Sequence, residues 1–317
     1  MLDLREEYIN ENSLKEETIC GFKVSSEMKR FWAAEQKVLA EIIRICEKYD
    51  ITYYADYGTL LGAIRHNGFI PWDDDIDICL KRNDYMKLLQ ILPKELPKNY
   101  NINNCYTNIN NDLHWTTIFN YRSVPIPNEI QRQFFNCPYA AGVDIFVLDY
   151  IPRDKELANI IINLYTTVYN ICKKFEEFKY NGELEQYVQQ VEYLCKVKLV
   201  RNSTLKNQLF ILEDKIASMF TEQESDHLGC LAHIVVSDLE AQYPKQWFDN
   251  IIKKDFNGLK INIPIGYDEI LTSYYGNYMT PSSIGMGHDY PVYKKQKLYL
   301  NSIKQLWQSI FCIKLSH

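Results

Sequence analysis

Trp72-Asp73-Asp74-Asp75-Ile76-Asp77-Ile78 places four carboxylates in five positions beside bulky apolar residues. The apolar members have the composition of a buried strand, in which successive side chains alternate between faces. Asp73, Asp75 and Asp77 then share one face, and Asp74, Ile76 and Ile78 the other. Carboxylates held this close repel and raise one another's pKa unless a cation lies between them, and all-oxygen ligand sets suit hard ions such as Mg²⁺ or Mn²⁺. A divalent metal site is the expectation. Most acidic runs end as solvated turns, but such turns are rarely followed by Ile-Asp-Ile-Cys-Leu, as this one is. A calcium loop of the EF-hand type needs Gly at its sixth position and Glu at its twelfth, where this chain has Ile78 and Asp84.

Around that run, 317 residues of which 46% are apolar provide for a substantial core, in one large domain or two of ordinary size. Lys and Arg number 35 against 41 Asp and Glu, and the net charge of −6 argues against broad binding to nucleic acid or anionic lipid, local basic patches aside. Met1-Leu2-Asp3-Leu4-Arg5-Glu6-Glu7 has neither a basic region nor an apolar run, so no signal peptide is read there, and no apolar stretch approaches the ~20 residues of a membrane span. The expected location is the cytoplasm, either free or peripheral at the inner face of the membrane. Nine cysteines without a Cys-x-x-Cys pair fit reduced thiols better than a disulfide framework or a zinc site, with Cys79 and Cys137 as small core residues.

Periodicity predicts an amphipathic helix from about Glu27 to Tyr49, with Phe31, Val38, Leu39, Ile42, Ile43 and Cys46 on its apolar side. Ile51 to Ala55 has strand composition, Leu60 to Arg65 reads as a short helix, and Asn67-Gly68 breaks the chain before the acidic strand. Asn83 or Asp84 caps a helix through Tyr85, Leu88, Leu89 and Leu92, with Pro93 and Pro97 at its exit. Further strands are predicted at Trp115 to Tyr121 and Val143 to Leu148, which gives a mixed sheet. From about Asp154 to Thr221 the pattern turns helical. Short strands return at Leu231 to Val236 and Leu259 to Ile263, then a helix from Tyr267 to Tyr275 stops at Gly276. The tail from Tyr293 to Ile313 mixes lysines with Leu298, Leu300, Ile303, Leu306, Trp307 and Ile310. It reads as a docking helix, with a bilayer surface as the alternative resting place.

Gly58 has no side chain to keep a phosphate from the backbone, Thr59 offers a hydroxyl and an amide, and a helix start favours anions. A lone Gly-Thr is a common turn. With Asp75 and Asp77 lying 17 and 19 residues later, it resembles the active-site signature of the nucleotidyltransferase fold, in which a third carboxylate on a neighbouring strand completes the metal site; Asp144 is the natural third member. The longer string from Asp56-Tyr57-Gly58-Thr59-Leu60-Leu61-Gly62 through Arg65-His66-Asn67-Gly68-Phe69-Ile70-Pro71 to the acidic run resembles the LicD family, which also contains fukutin-related proteins. The likeness extends from the helix before Ile51 to Tyr275-Gly276-Asn277-Tyr278-Met279.

That resemblance implies an α+β protein with a nucleotidyltransferase-like mixed β-sheet flanked by helices. The implied organisation is an N-terminal extension over 1–26, a catalytic core over 27–153, a helical subdomain over 154–222, the remainder of the LicD-like domain over 223–292 and a C-terminal helix over 293–317. It also implies a phosphotransferase that moves a phosphorylated alcohol such as phosphocholine from CDP-choline or another CDP-alcohol to a sugar hydroxyl, with CMP as leaving group. The acceptor is a cell-surface glycan precursor, lipid-linked or free. The family pattern has a Pro-Pro pair, a basic residue and a His after the Tyr-Gly segment; Thr280-Pro281-Ser282-Ser283-Ile284-Gly285-Met286-Gly287-His288 keeps one Pro and the His but lacks the basic residue.

Asp75 and Asp77 would bind Mg²⁺ or Mn²⁺, and Asp144 would either complete the metal shell or accept the acceptor's proton. Arg65 is a candidate to meet a donor phosphate, against a surface ion pair as the ordinary reading. Trp72 would stack on the cytosine or face a quaternary ammonium, against simple core packing, and His288 would touch a phosphate or serve as an acid–base group. Lys81 and Arg82 read as ordinary charges after a strand. The same Gly-Thr and Asp-x-Asp geometry also serves a nucleotidyltransferase that attaches NMP and releases pyrophosphate. A silent binding subunit gains nothing from three mutually repelling acids.

Overall fold

The computed structural model describes residues 9–236, 241–281 and 290–315, apart from the side chains at 307 and 309–315. A hairpin, β1 (Glu17–Ile19) and β2 (Phe22–Val24), leads into the long helix α1 (Ser26–Lys48). Ser25 caps it by accepting the Met28 N–H, and Phe31, Val38, Leu39, Ile42 and Ile45 are buried along one side. β3 (Tyr54–Ala55), α2 (Tyr57–Arg65), β4 (Asp77–Lys81) and α3 (Arg82–Glu95) follow, then β5 (Asn101–Asn103), β6 (Thr116–Phe119), α4 (Asn128–Gln133) and the long β7 (Gly142–Pro152). Helices α5 (Lys155–Lys173), α6 (Phe175–Asn181), α7 (Leu184–Cys195) and α8 (Leu205–Ala217) form the helical stretch. The chain continues through β8 (Ser225–Gly229), α9 (Leu231–Val236), β9 (Gln242–Pro244), the hairpin β10 (Ile251–Phe256) and β11 (Leu259–Pro264), α10 (Tyr267–Tyr275) and α11 (Lys294–Leu315).

The fold is α+β, a central mixed sheet flanked by helices. Its order is β3-β4-β7-β6-β5, with β8 added along the far half of β7 and β9 beside β8. β4 and β7 are parallel; the other pairs are antiparallel. The pleat sorts the helices. Tyr85 of α3 bonds Thr116 on one face of the sheet (2.7 Å), whereas Tyr57 at the start of α2 meets Phe146, one pleat along from Asp144, on the other (ring centroids 5.1 Å). Helices α5 to α8 bury a separate apolar cluster that includes Val168, Val188, Val191 and Leu209, closed by Ile151 and Leu231.

Three local expectations are corrected. Leu231 to Val236 is a helix, not a strand: β8 ends at Gly229, and Leu231 and Ala232 turn into the helical cluster. A short apolar run cannot by itself separate the two states. The acidic strand starts at Asp77: Asp73 is pinned in a turn (its N–H to the Ile70 carbonyl, 2.9 Å) and its carbonyl accepts the Trp32 indole N–H (3.0 Å), and the chain meets β7 at Ile76, whose carbonyl accepts the Asp144 N–H (2.9 Å). Arg82 is no surface charge: it is 6% exposed, grips both oxygens of buried Asp149 (2.6 and 2.8 Å) and reaches Asp214 of α8 (2.8 Å). Burial still carries the Asp149 carboxyl up to about 6, with Arg82 opposing that rise.

Candidate active site

Asp77 of β4 and Asp144 of β7 are register partners on adjacent parallel strands, and Thr117 of β6 is the register partner of Asp144 on its other side. In-register side chains on neighbouring strands stand on the same face, with strands about 4.8 Å apart. Asp77, Asp144 and Thr117 therefore form a row across three strands. The Thr117 hydroxyl donates to Asp144 Oδ1 at 2.5 Å.

The loop between β3 and α2 closes over the start of β4. Asp56 caps α2, its side chain accepting the Tyr57 N–H (2.9 Å), while its own N–H bonds the Asp77 carbonyl (3.1 Å). Tyr57 holds φ of 42°, a left-handed conformation uncommon for a bulky residue. Thr59 Oγ1 accepts the Asp77 N–H at 2.9 Å, locking the helix start to the metal-binding candidate. Burial lifts the Asp56 carboxyl to about 6, against hydrogen bonds from the Tyr57 N–H, Cys79 and Tyr274. Gly58 is required by its neighbour: a Cβ there would lie 2.1 Å from Asp73 Oδ2.

The carboxylates converge from this frame. One oxygen each from Asp73, Asp74 and Asp75 lies within 4.8 Å of the others, and among the described residues no other trio of acids, cysteines or histidines is that tight. Asp75, Asp77 and Asp144 are thus more widely spread than the consecutive trio. Asp74 is buried and accepts the Val292 N–H at 2.6 Å, which gives it a structural task. Asp77 titrates well above the ordinary carboxylate range because it is buried and faces the charges of Asp75, Asp144, Asp73 and Asp56. A hard cation would offset that concentration of charge; the donor set is oxygen only and fits Mg²⁺ or Mn²⁺.

Other predicted residues fall at the margins. Arg65, at the far end of α2, donates to the Tyr278 carbonyl (2.6 Å) and to His66 (2.9 Å), fastening the segment after α10 to α2. Trp72 is partly buried among Phe22 (6.2 Å) and His66 (6.1 Å). His288 lies outside the described residues.

Three residues near the acids escaped the sequence reading. Thr117 is visible only through strand register. Glu35, 2% exposed on α1, has its pKa held well above normal by burial and by Asp75, Asp74 and Asp73, and its Oε2 is buried without a hydrogen bond. A buried Glu in an otherwise apolar helix stripe was the available signal. Tyr275 keeps 43% of its surface open, yet desolvation and the charges of Asp56, Asp73, Asp77 and Asp75 push its phenol upward. It therefore stands at the solvent edge of the acid group.

Residues 50–155, which hold Asp56, Gly58, Thr59, the acidic run from Asp73 to Asp77, Thr117 and Asp144, match the family model described as LicD/FKTN/FKRP, nucleotidyltransferase domain. The chain carries a LicD-family domain. Over most of its length, 270 aligned residues, it is 28% identical to the lipopolysaccharide cholinephosphotransferase LicD of Haemophilus influenzae, covering 80% of this chain and 93% of that relative. Two uncharacterised Rickettsia proteins share shorter segments. The one from Rickettsia typhi is 37% identical over 83 residues, 24% of this chain and 27% of its own length, and the one from Rickettsia prowazekii 37% over 82 residues, 26% and 30%. Among the described residues no helix is long and apolar enough to cross a membrane.

Proposed function

We propose that this LicD-family chain is a metal-dependent phosphotransferase that moves phosphocholine from CDP-choline to a sugar hydroxyl of a cell-surface glycan precursor and releases CMP. The observation that carries the proposal is the register of Asp77 with Asp144 on adjacent parallel strands, with Asp75 two residues before. The choice of phosphocholine is supported by the likeness to the Haemophilus influenzae lipopolysaccharide cholinephosphotransferase, which spans most of both chains.

Asp75, Asp77 and Asp144 would hold Mg²⁺ or Mn²⁺, which when bound supplies positive charge against the diphosphate and the departing CMP oxygen. The chain's own groups do the rest. Thr59 fixes the main chain at Asp77, and Thr117 fixes the orientation of Asp144 through Oδ1. In the reaction the acceptor oxygen forms a bond to the phosphorus that bears choline, the bond from that phosphorus to the CMP oxygen breaks, and the acceptor proton passes to Asp144. Gly58 lets Asp73 lie against the start of α2, which keeps the acidic loop close to the row.

The test is incubation with Mg²⁺, a panel of CDP-choline, CDP-ribitol, CDP-glycerol and nucleoside triphosphates, and candidate glycans. CMP release that depends on CDP-choline and acceptor is expected, and Asp75→Asn or Asp77→Asn should abolish it with the fold intact. Pyrophosphate release from a nucleoside triphosphate would assign the nucleotidyltransferase reaction instead.

A further inference from the structure

The acid row uses none of α11, and that helix carries chemistry of its own. From 291 to 317 the sequence contains Lys294, Lys295, Lys297, Lys304 and Lys314 and no Asp or Glu, in a chain whose net charge is −6. Its first turns are tied down. Gln296 exchanges two hydrogen bonds with the main chain of Ala140 (2.8 and 3.1 Å), Lys297 pairs with Glu27, and Tyr293, just before the helix, stacks on Tyr139 at 4.3 Å. Among the described side chains of the helix, only the stripe of Gln296, Leu300 and Ile303 is partly covered.

The neighbouring arc points outward with large apolar side chains. Leu298 is 62% exposed, Tyr299 52% and Leu306 61%, and at 3.6 residues per turn these three fall within roughly 100° of the helix circumference. Lys295 lies in the same arc and Lys294 flanks it, both exposed, while Lys304 stands on the far side of the helix, towards Glu27. A helix shaped only by packing onto its own protein turns its leucines inward. Apolar residues facing out together with uniformly positive charge are what a helix needs to lie in the headgroup region of an anionic bilayer, where leucine and tyrosine enter the acyl boundary and lysines meet lipid phosphates. Charge complementarity also separates this partner from a second copy of α11, since two such helices would repel.

We propose that α11 docks this protein onto an anionic membrane surface, lying in the plane of the headgroups. The docked helix would be coupled to the acidic loop, because Val292, two residues before α11, donates its N–H to Asp74 at 2.6 Å. Membrane attachment would then present the acid row at a fixed height above the bilayer.

The test is co-sedimentation of the full chain with vesicles of phosphatidylcholine alone and of phosphatidylcholine mixed with phosphatidylglycerol, at low and high salt. Binding to the mixed vesicles that salt reverses is expected, with little binding to phosphatidylcholine. Lys294→Gln with Lys295→Gln should weaken it roughly 30-fold, about fivefold for each lysine removed from an anionic surface. Leu298→Ser with Tyr299→Ser should abolish it, and both variants should keep the wild-type melting temperature because all four positions are exposed. Absent binding, or binding equal on both vesicles and indifferent to these substitutions, overturns the proposal. So does a lipid-free dimer that Leu298→Ser dissolves, which would make the face a contact between copies.

Discussion

Replacing Thr117 by Val removes one hydroxyl from the row and little else. The side chain is 3% exposed, the methyl that replaces the hydroxyl fills nearly the same space, and the ladder bonds of β6 are untouched. What is lost is a hydrogen bond at 2.5 Å to Asp144, and a bond to a charged acceptor contributes about 1.5–3 kcal/mol. Asp144 is only half-buried, so water recovers part of this and the stability loss should sit near the lower end, a fall in melting temperature of roughly 3–6 °C. Catalysis should suffer more. Groups that orient metal-binding side chains typically account for about 10–100-fold in metal affinity or activity. The assay is CMP release from CDP-choline across a Mg²⁺ titration. The Mg²⁺ concentration for half-maximal rate should rise and turnover should fall by that factor, while Thr117→Ser, which keeps the donor, should stay near wild type. Wild-type turnover and Mg²⁺ dependence in Thr117→Val, alongside an inactive Asp77→Asn, would show that the row ends at Asp144 and that Thr117 has no part in it.

Gly58→Ala should drive Asp73 off the start of α2, costing about 1–3 kcal/mol as an overpacked contact and lowering turnover, whereas adding Asp73→Ala should restore the melting temperature but not the activity. Arg82→Met should cost about 3–5 kcal/mol at pH 7, since it leaves Asp149 buried without its partner. Because the Asp149 carboxyl is raised to about 6 in the folded protein, folding favours its protonated form: that stability is complete below about pH 4 and declines as pH rises towards 6, so the penalty of Arg82→Met in urea unfolding should shrink in acid. A penalty that is flat with pH would contradict this. Tyr275→Phe should change the melting temperature little, as the residue is 43% exposed and keeps its ring, and slow turnover roughly 3–10-fold, the value of one hydrogen bond in the transition state. An unaltered rate would remove Tyr275 from the site.

The elements with strong local signals were readable in advance. The long apolar stripe made α1 plain, although its Ser25 cap emerged only from the structure, and Gly276 marked the end of α10 to the residue. The 142–152 strand was found from its apolar run, though only its first half was foreseen, because the extension to Pro152 depends on β8 arriving from some 75 residues later. The same non-locality hid Thr117: nothing near it in sequence says that it faces Asp144, and only the antiparallel register of β6 on β7 places it there. Arg82 misled for a related reason. Its partners Asp149 and Asp214 lie 67 and 132 residues away, so a charge that follows a strand looked idle. The acidic run was legible as chemistry before it was legible as geometry. Asp77 and Ile78 are in the sheet as expected, and the Ile76 carbonyl already accepts the Asp144 N–H of β7, but Asp73 is held by a turn and by Trp32, which is why three consecutive carboxylates converge rather than alternate cleanly.

The central claim is that Asp75, Asp77 and Asp144 share a divalent cation. Anomalous diffraction from crystals grown with Mn²⁺ tests it most directly. The account predicts a peak over the β4–β7 junction within bonding distance of Asp77 and at least one of Asp75 and Asp144, lost in Asp77→Asn. A peak seated among Asp73, Asp74 and Asp75 alone, or none at saturating Mn²⁺, would contradict it.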